Sequence, residues 1–295
     1  MQAPGCGLVL YVIIPTKFEN ERIRAMIREQ RTQSNDLLNI DFYPVYDNSG
    51  LKMRERAPKS SPSSEQQKKY NENRAALRLI QLVNANFTKK DFFCHFTFSP
   101  DRLPKDEDDA LRIINNYFRR VQYYRNKKGL APVKHIGVLE GKCYRDGRYC
   151  GLINYHFHIF IQADGMSSDE YEAIWTDGEV VRIDHFRPRI FGPEAAARYI
   201  SKDPKGKKRW FYSKGLKQPK KKKPLDGKVG RKTVERMSTV HVEDREYWEN
   251  RYKGYDFIKA FPRFNEYNGH WYLSVVMFKK DEPSAIKKKN NKKSA

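Results

Sequence analysis

The sequence predicts an α+β protein. Apolar runs of strand length, rich in β-branched and aromatic residues, alternate with longer stretches whose apolar residues recur at helical spacing. A polar, glycine-bearing connection between two neighbouring strand runs reads as the turn of a long hairpin. The 295 residues suffice to bury a core in one large domain or two small ones. An apolar content of 39 % with 13 % aromatics fits a packed domain carrying solvated extensions.

Taken in order, residues 8–14 and 40–46 read as strands, with polar and basic sequence between and after them. The stretch from Ala57 to Ser64 has linker composition, so residues 1–63 are expected to be an extension. Ser64, with Glu65 and Gln67 after it, caps a helix running to about residue 84, whose buried stripe is Ala76, Leu77, Ile80 and Val83. Residues 91–99 form a central strand. A helix over about 105–126 holds Ala110, Ile113, Ile114, Tyr117, Phe118, Val121 and Tyr124 on one side. Strands follow at 133–140 and 152–162, then a short helix at 167–175 and a strand at 179–183. Gly192, Pro193 and Glu194 open a further helix over 194–202, which Asp203-Pro204 closes. A last strand over 271–278 precedes a lysine-rich tail. The expected division is an extension (1–63), a main domain (64–235) and a C-terminal segment (236–295).

Charge bounds the partner. Lys and Arg number 58 against 36 Asp and Glu, a formal net charge of +22. Nucleic acid is the first expectation and an anionic membrane surface the second. The four cysteines form no C-x-x-C pair, which fits a reducing compartment better than a disulfide scaffold or a zinc knuckle. The apolar run at 8–14 lacks a basic leader and is too short to span a membrane, so a soluble cytoplasmic protein is expected.

Within the strand at 152–162, His156 and His158 stand two apart. Side chains alternate along a strand, so both imidazoles leave the same face, roughly 7 Å apart. They are placed either to share a metal ion or to sit in the core as hydrogen-bonded histidines. Glu140 ends the strand expected to pair with theirs, and reads either as a third ligand or as a solvated strand end. A mixed N/O site of this kind suits Mg²⁺ or Mn²⁺ when a substrate supplies phosphate oxygens. Tyr199 and Lys202 lie three apart on one helix and so share a face. A phenol beside a cation can attack phosphorus, although plain helix packing explains the spacing too. From Lys202 to Lys232 the chain carries fourteen Lys and Arg against two Asp, with Trp210, Phe211 and Tyr212 interleaved. That composition suits phosphates and stacked bases.

The order of these parts is similar to that of the HUH endonucleases: Phe96-Thr97-Phe98 on a strand, an acidic residue on the next, His-Phe-His, then Tyr-Ile-Ser-Lys on a helix. Among them it resembles the single-tyrosine rolling-circle replication initiators of phages and plasmids, over about residues 66–219. The resemblance implies a central antiparallel sheet flanked by helices, ferredoxin- or RRM-like, with the tyrosine helix packed across the metal face. It implies His156, His158 and Glu140 as metal ligands, Tyr199 as nucleophile and Lys202 as its cationic neighbour. Lys205, Lys207, Lys208, Arg209, Trp210, Lys214 and Lys217 would bind DNA. The implied reaction is a metal-assisted transesterification at a single-stranded DNA origin, joining Tyr199 to the 5′ phosphate. The protein would act in a bacterial host with the host's helicase and DNA polymerase, since the chain has no G-x-x-x-x-G-K-[ST] loop of its own. With one tyrosine on the helix, strand closure requires its re-use or a second copy, as in a homodimer. A transposase or relaxase would use the same chemistry. A non-catalytic basic nucleic-acid-binding protein would have the same charge without it.

Overall fold

The computed structural model describes residues 25–46, 65–143, 145, 150–178, 181–189 and 210–281. It is α+β, with two antiparallel sheets and five helices among the described residues. The first sheet has the order β6-β3-β5-β4-β7. Its strands are β3 (Phe92–Thr97), β4 (His135–Cys143), β5 (Ile153–Ile161), β6 (Val181–His185) and the short β7 (Phe211–Tyr212). The β4–β5 pair is the expected hairpin, in register from His135 opposite Ile161 to Cys143 opposite Ile153.

One face of this sheet is sealed along its length. Cys94, Phe96, Phe157, Ile159 and Ile161 pack against α2 (Glu107–Lys127) and α3 (Ser168–Ile174). Helix α2 begins where the Asp106 carboxylate accepts from the Asp109 amide at 2.8 Å, with three acidic residues in its first turn and Arg125 and Lys127 in its last. Gly129, at φ +68°, lets the chain turn away. Helix α3 opens with a reciprocal capping box between Ser167 and Glu170.

The other face is covered only in part. Helix α1 (Glu65–Asn86) lays Leu79, Ile80, Val83 and Phe87, just past its end, on Ile136, Val138 and Phe160. The same cluster takes in Leu37, Val276 and Phe278 of a second sheet, so α1 is sandwiched between the two. That second sheet joins β10 (Tyr255–Asn265), β11 (His270–Lys279), β2 (Leu37–Val45), β1 (Met26–Ser34), β8 (Lys220–Lys221) and β9 (Leu225–Asp226). Its outer face packs on α4 (Arg231–Thr239) and α5 (Arg245–Arg251) through Ile40, Phe42, Met237, Trp248 and Met277.

The second sheet takes strands from all three expected segments, the extension, the main domain and the C-terminal segment. Strand β11 pairs with β2, Leu273 opposite Phe42, so parts of the expected extension and the C-terminal segment build one sheet with its own core. The boundary at 235/236 also falls inside α4. The reason is visible in β1, Met-Ile-Arg-Glu-Gln-Arg-Thr-Gln-Ser, whose polar composition hides a strand buried by pairing on both sides. The predicted strand at 8–14, the Ser64 cap, the helix at 194–202 and the lysine-rich end of the chain lie outside the described residues.

His135 opens β4 with its ring stacked on Phe118, centroids 3.5 Å apart, and burial pushes its pKa down to about 3. In the unfolded chain a histidine titrates near 6.5. The unfolded state therefore binds the proton first, and stability present above about pH 6.5 is lost as the pH falls towards 3. Urea unfolding at pH 7, 5.5 and 4.5 should show this decline, by up to about 1.4 kcal/mol per pH unit from this residue. His135→Phe should flatten the profile, and an unchanged slope in that variant would exclude His135 as the source.

Candidate metal centre

The histidine strand is central in the first sheet, flanked by β3 and β4. Across the ladders His156 faces Glu140 and Thr97, while His158 faces Val138 and His95. Directly opposed residues share a face, so Glu140, His95, His156 and His158 all point to the side that α1 only partly covers. Burial along β5 shows where the cover ends. Phe160 is 2 % exposed and touches Phe87, whereas the side chains of His158 and His156 are 13 % and 15 % exposed. The imidazoles stand where the α1 layer runs out. They are held by the sheet yet reachable from solvent.

The Glu140 Oε2 lies 2.9 Å from His156 Nε2 and 3.5 Å from His158 Nε2. The shorter contact is a hydrogen bond, and the two together place the carboxylate against both imidazoles. Burial tends to raise the Glu140 pKa, but hydrogen bonds from His156 and His158 outweigh it and keep the carboxyl ionised, well below the usual range. His95 completes the cluster. Its ring stacks on His158 at 4.6 Å and 5°, and stands edge-on to His156 at 5.3 Å. Ligand atoms of His95, His156 and His158 lie within 4.8 Å of one another, so the triad can hold a metal ion. Burial, then the neighbouring imidazoles, push the His95 pKa down to about 4, leaving it neutral and able to ligate. Its Nε2 is buried with no hydrogen-bond partner among the described residues.

The structure thus brings together Glu140, His156 and His158, as the sequence predicts, and adds His95, which the sequence reading passed over as one residue of an apolar strand. The available signal was a polar residue between Cys94 and Phe96 on a strand expected to be central. Its pairing partner, His158, follows only from register. Tyr199, Lys202, Lys205, Lys207, Lys208 and Arg209 lie outside the described residues. Trp210 is partly buried and packs against the α1 core cluster. Lys214 and Lys217 are exposed on the segment that crosses α1 from one sheet to the other. That segment is anchored by Asn86, whose amide donates to Lys217 O at 3.0 Å and accepts from Lys217 N at 2.7 Å.

Among the described residues no helix is long and apolar enough to cross a membrane. Comparison with protein-family models, with curated proteins and with solved structures finds no match to this chain.

Proposed function

We propose that this protein is a metal-dependent endonuclease that nicks and rejoins single-stranded DNA and initiates rolling-circle replication. The observation that carries the reading is the convergence of Glu140, His156 and His158, with His95 beside them, on the accessible part of a sheet face. The donor set, three imidazoles and one carboxylate, fits a divalent cation, and its nitrogen content favours Mn²⁺ over the harder Mg²⁺. A bound cation supplies Lewis acidity to a scissile phosphate.

The chain's own residues do the rest. Glu140 stays anionic and orients His156. The Tyr199 hydroxyl gives its proton to solvent as its oxygen attacks the phosphorus, the bond from phosphorus to the 3′ oxygen breaks, and the departing oxygen takes a proton from solvent to become a 3′ hydroxyl. The 5′ phosphate is then an ester of Tyr199, and reversal of the step rejoins the strand. Lys202 balances charge on the phenolate, and the lysines from Lys205 to Lys217 hold the backbone. Host helicase and polymerase would extend the 3′ end in the bacterial cytoplasm, and a second copy of the chain would supply a second tyrosine.

The test is a denaturing gel of protein incubated with labelled single-stranded origin DNA and Mn²⁺. A slow-migrating adduct is expected, lost in EDTA and in Tyr199→Phe, whose DNA binding in native gels stays within about twofold because it rests on the lysines. An adduct of equal yield from Tyr199→Phe would remove Tyr199 as nucleophile. Binding without any adduct would favour the non-catalytic nucleic-acid-binding reading.

A further inference from the structure

The second sheet also has a half-covered face. Toward α1 it is closed around Leu37, Val276 and Phe278, while at its other end the described residues leave it partly exposed. There one row of side chains crosses four strands. Arg263 of β10 is opposite Tyr272 of β11, and Tyr43 of β2 is opposite Arg28 of β1. Tyr272 and Tyr43 each sit one residue beyond the paired Leu273 and Phe42, which are buried on the far side, so both tyrosines project to the open face. All four residues of the row are partly exposed.

Helix α1 adds to the end of this row. The Arg263 guanidinium lies 4.1 Å from the Tyr70 ring centre and 4.7 Å from that of Tyr272, between two aromatic faces. Arg74 is 5.8 Å from the same Tyr70 ring and donates to its hydroxyl at 3.3 Å. The result is a ladder of Arg74, Tyr70, Arg263 and Tyr272. Arg28 is paired with Asp226 at 2.7 Å, whereas Arg74, which feels the Asp41 carboxyl only at longer range, and Arg263 form no ion pair among the described residues. The Arg263 Nε is buried without a hydrogen-bond partner among the described residues. Two stacked guanidiniums that form no ion pair among the described residues, in line with two sheet-borne tyrosines on a chain of net charge +22, complement an anionic ligand with flat faces. Single-stranded nucleic acid has both, with phosphates for the arginines and bases for the rings.

We infer that this row, with Tyr70 and Arg74 at its end, binds single-stranded DNA at a site separate from the histidine cluster. The choice of DNA rests on the nicking reading above, but binding here requires neither metal nor cleavage.

The probe is a fluorescein-labelled fifteen-nucleotide oligo-dT, followed by anisotropy with the full chain in EDTA. The double variant Arg74→Gln/Arg263→Gln should bind about tenfold more weakly and flatten the salt dependence by about 1.4 in log–log slope, two contacts at about 0.7 each. Tyr43→Leu/Tyr272→Leu should also lose about tenfold while keeping the slope, because stacking is not ionic. Lys232→Gln/Lys253→Gln, removing two charges elsewhere on the surface, should change affinity by less than about threefold. Arg263→Lys, which retains charge but not the planar stack, should fall between wild type and the double variant. Wild-type binding by both double variants would overturn the inference. So would unchanged binding with a lowered melting temperature, since the face would then be one the chain itself covers. Neither result touches the Tyr199 adduct, so the two proposals fail separately.

Discussion

His95→Ala, His156→Ala and His158→Ala each lower Mn²⁺ affinity by about 100-fold or more, measured calorimetrically on the purified chain. The magnitude follows from position. Groups that merely orient a ligand are worth about 10–100-fold, and residues supplying a donor atom exceed that. The His95 imidazole is stacked on His158, and its buried Nε2 has no hydrogen-bond partner among the described residues, so that nitrogen is open to a metal ion. Glu140→Gln should fall by a comparable factor, because its Oε2 touches both Nε2 atoms. If His95→Ala keeps wild-type affinity while Glu140→Gln loses it, the ligand set is Glu140, His156 and His158 alone. If all four variants bind as wild type, the cluster is not a metal centre, and metal removal will leave any DNA chemistry unchanged.

Gly178→Ala unfolds or strongly destabilises the protein, by about 3 kcal/mol. A Cβ built there would stand 1.8 Å from the backbone oxygen of Thr97 and 2.7 Å from Trp175 Nε1. Neither can retreat at little cost. Thr97 ends β3 opposite His156, and its carbonyl already accepts the Trp175 indole N–H at 3.2 Å. Trp175 in turn stacks on Phe96, centroids 5.0 Å apart. Chemical denaturation of Gly178→Ala should give a midpoint well below wild type. Gly129→Ala serves as comparison, because there only the positive φ of +68° is strained and no atom lies within 4 Å. Equal midpoints for the two variants would show that the Gly178 contact relaxes freely.

Much of the first sheet was legible in the sequence because its elements carry strong local signals. The apolar alternation of β3 and β5, the stripe of α2 and the turn-bearing stretch between β4 and β5 each mark an element without help from the rest of the chain. The second sheet was mostly hidden. Strand β1 is polar, and β10, with Lys259, Pro262 and Arg263 in its run, does not look like an eleven-residue strand. Strand β1 is held by β2 on one side and by β8 and β9 on the other, β10 is held by β11 alone, and the two hairpins, from opposite ends of the chain, join only where β11 pairs with β2.

The candidate site divides the same way. That His156 and His158 share a face follows from the two-residue period of a strand, and their nearness to Glu140 from the hairpin that joins β4 to β5. Those are local properties, written in a few consecutive residues. The place of His95 is not local. It depends on β3 pairing with β5 in one register, His95 against His158, across sixty-two residues of intervening chain. A slip of one residue would turn His95 to the face sealed by α2 and α3. The openness of the site likewise depends on where α1 stops covering the sheet, which is set by packing between two sheets rather than by any residue of the histidine strand.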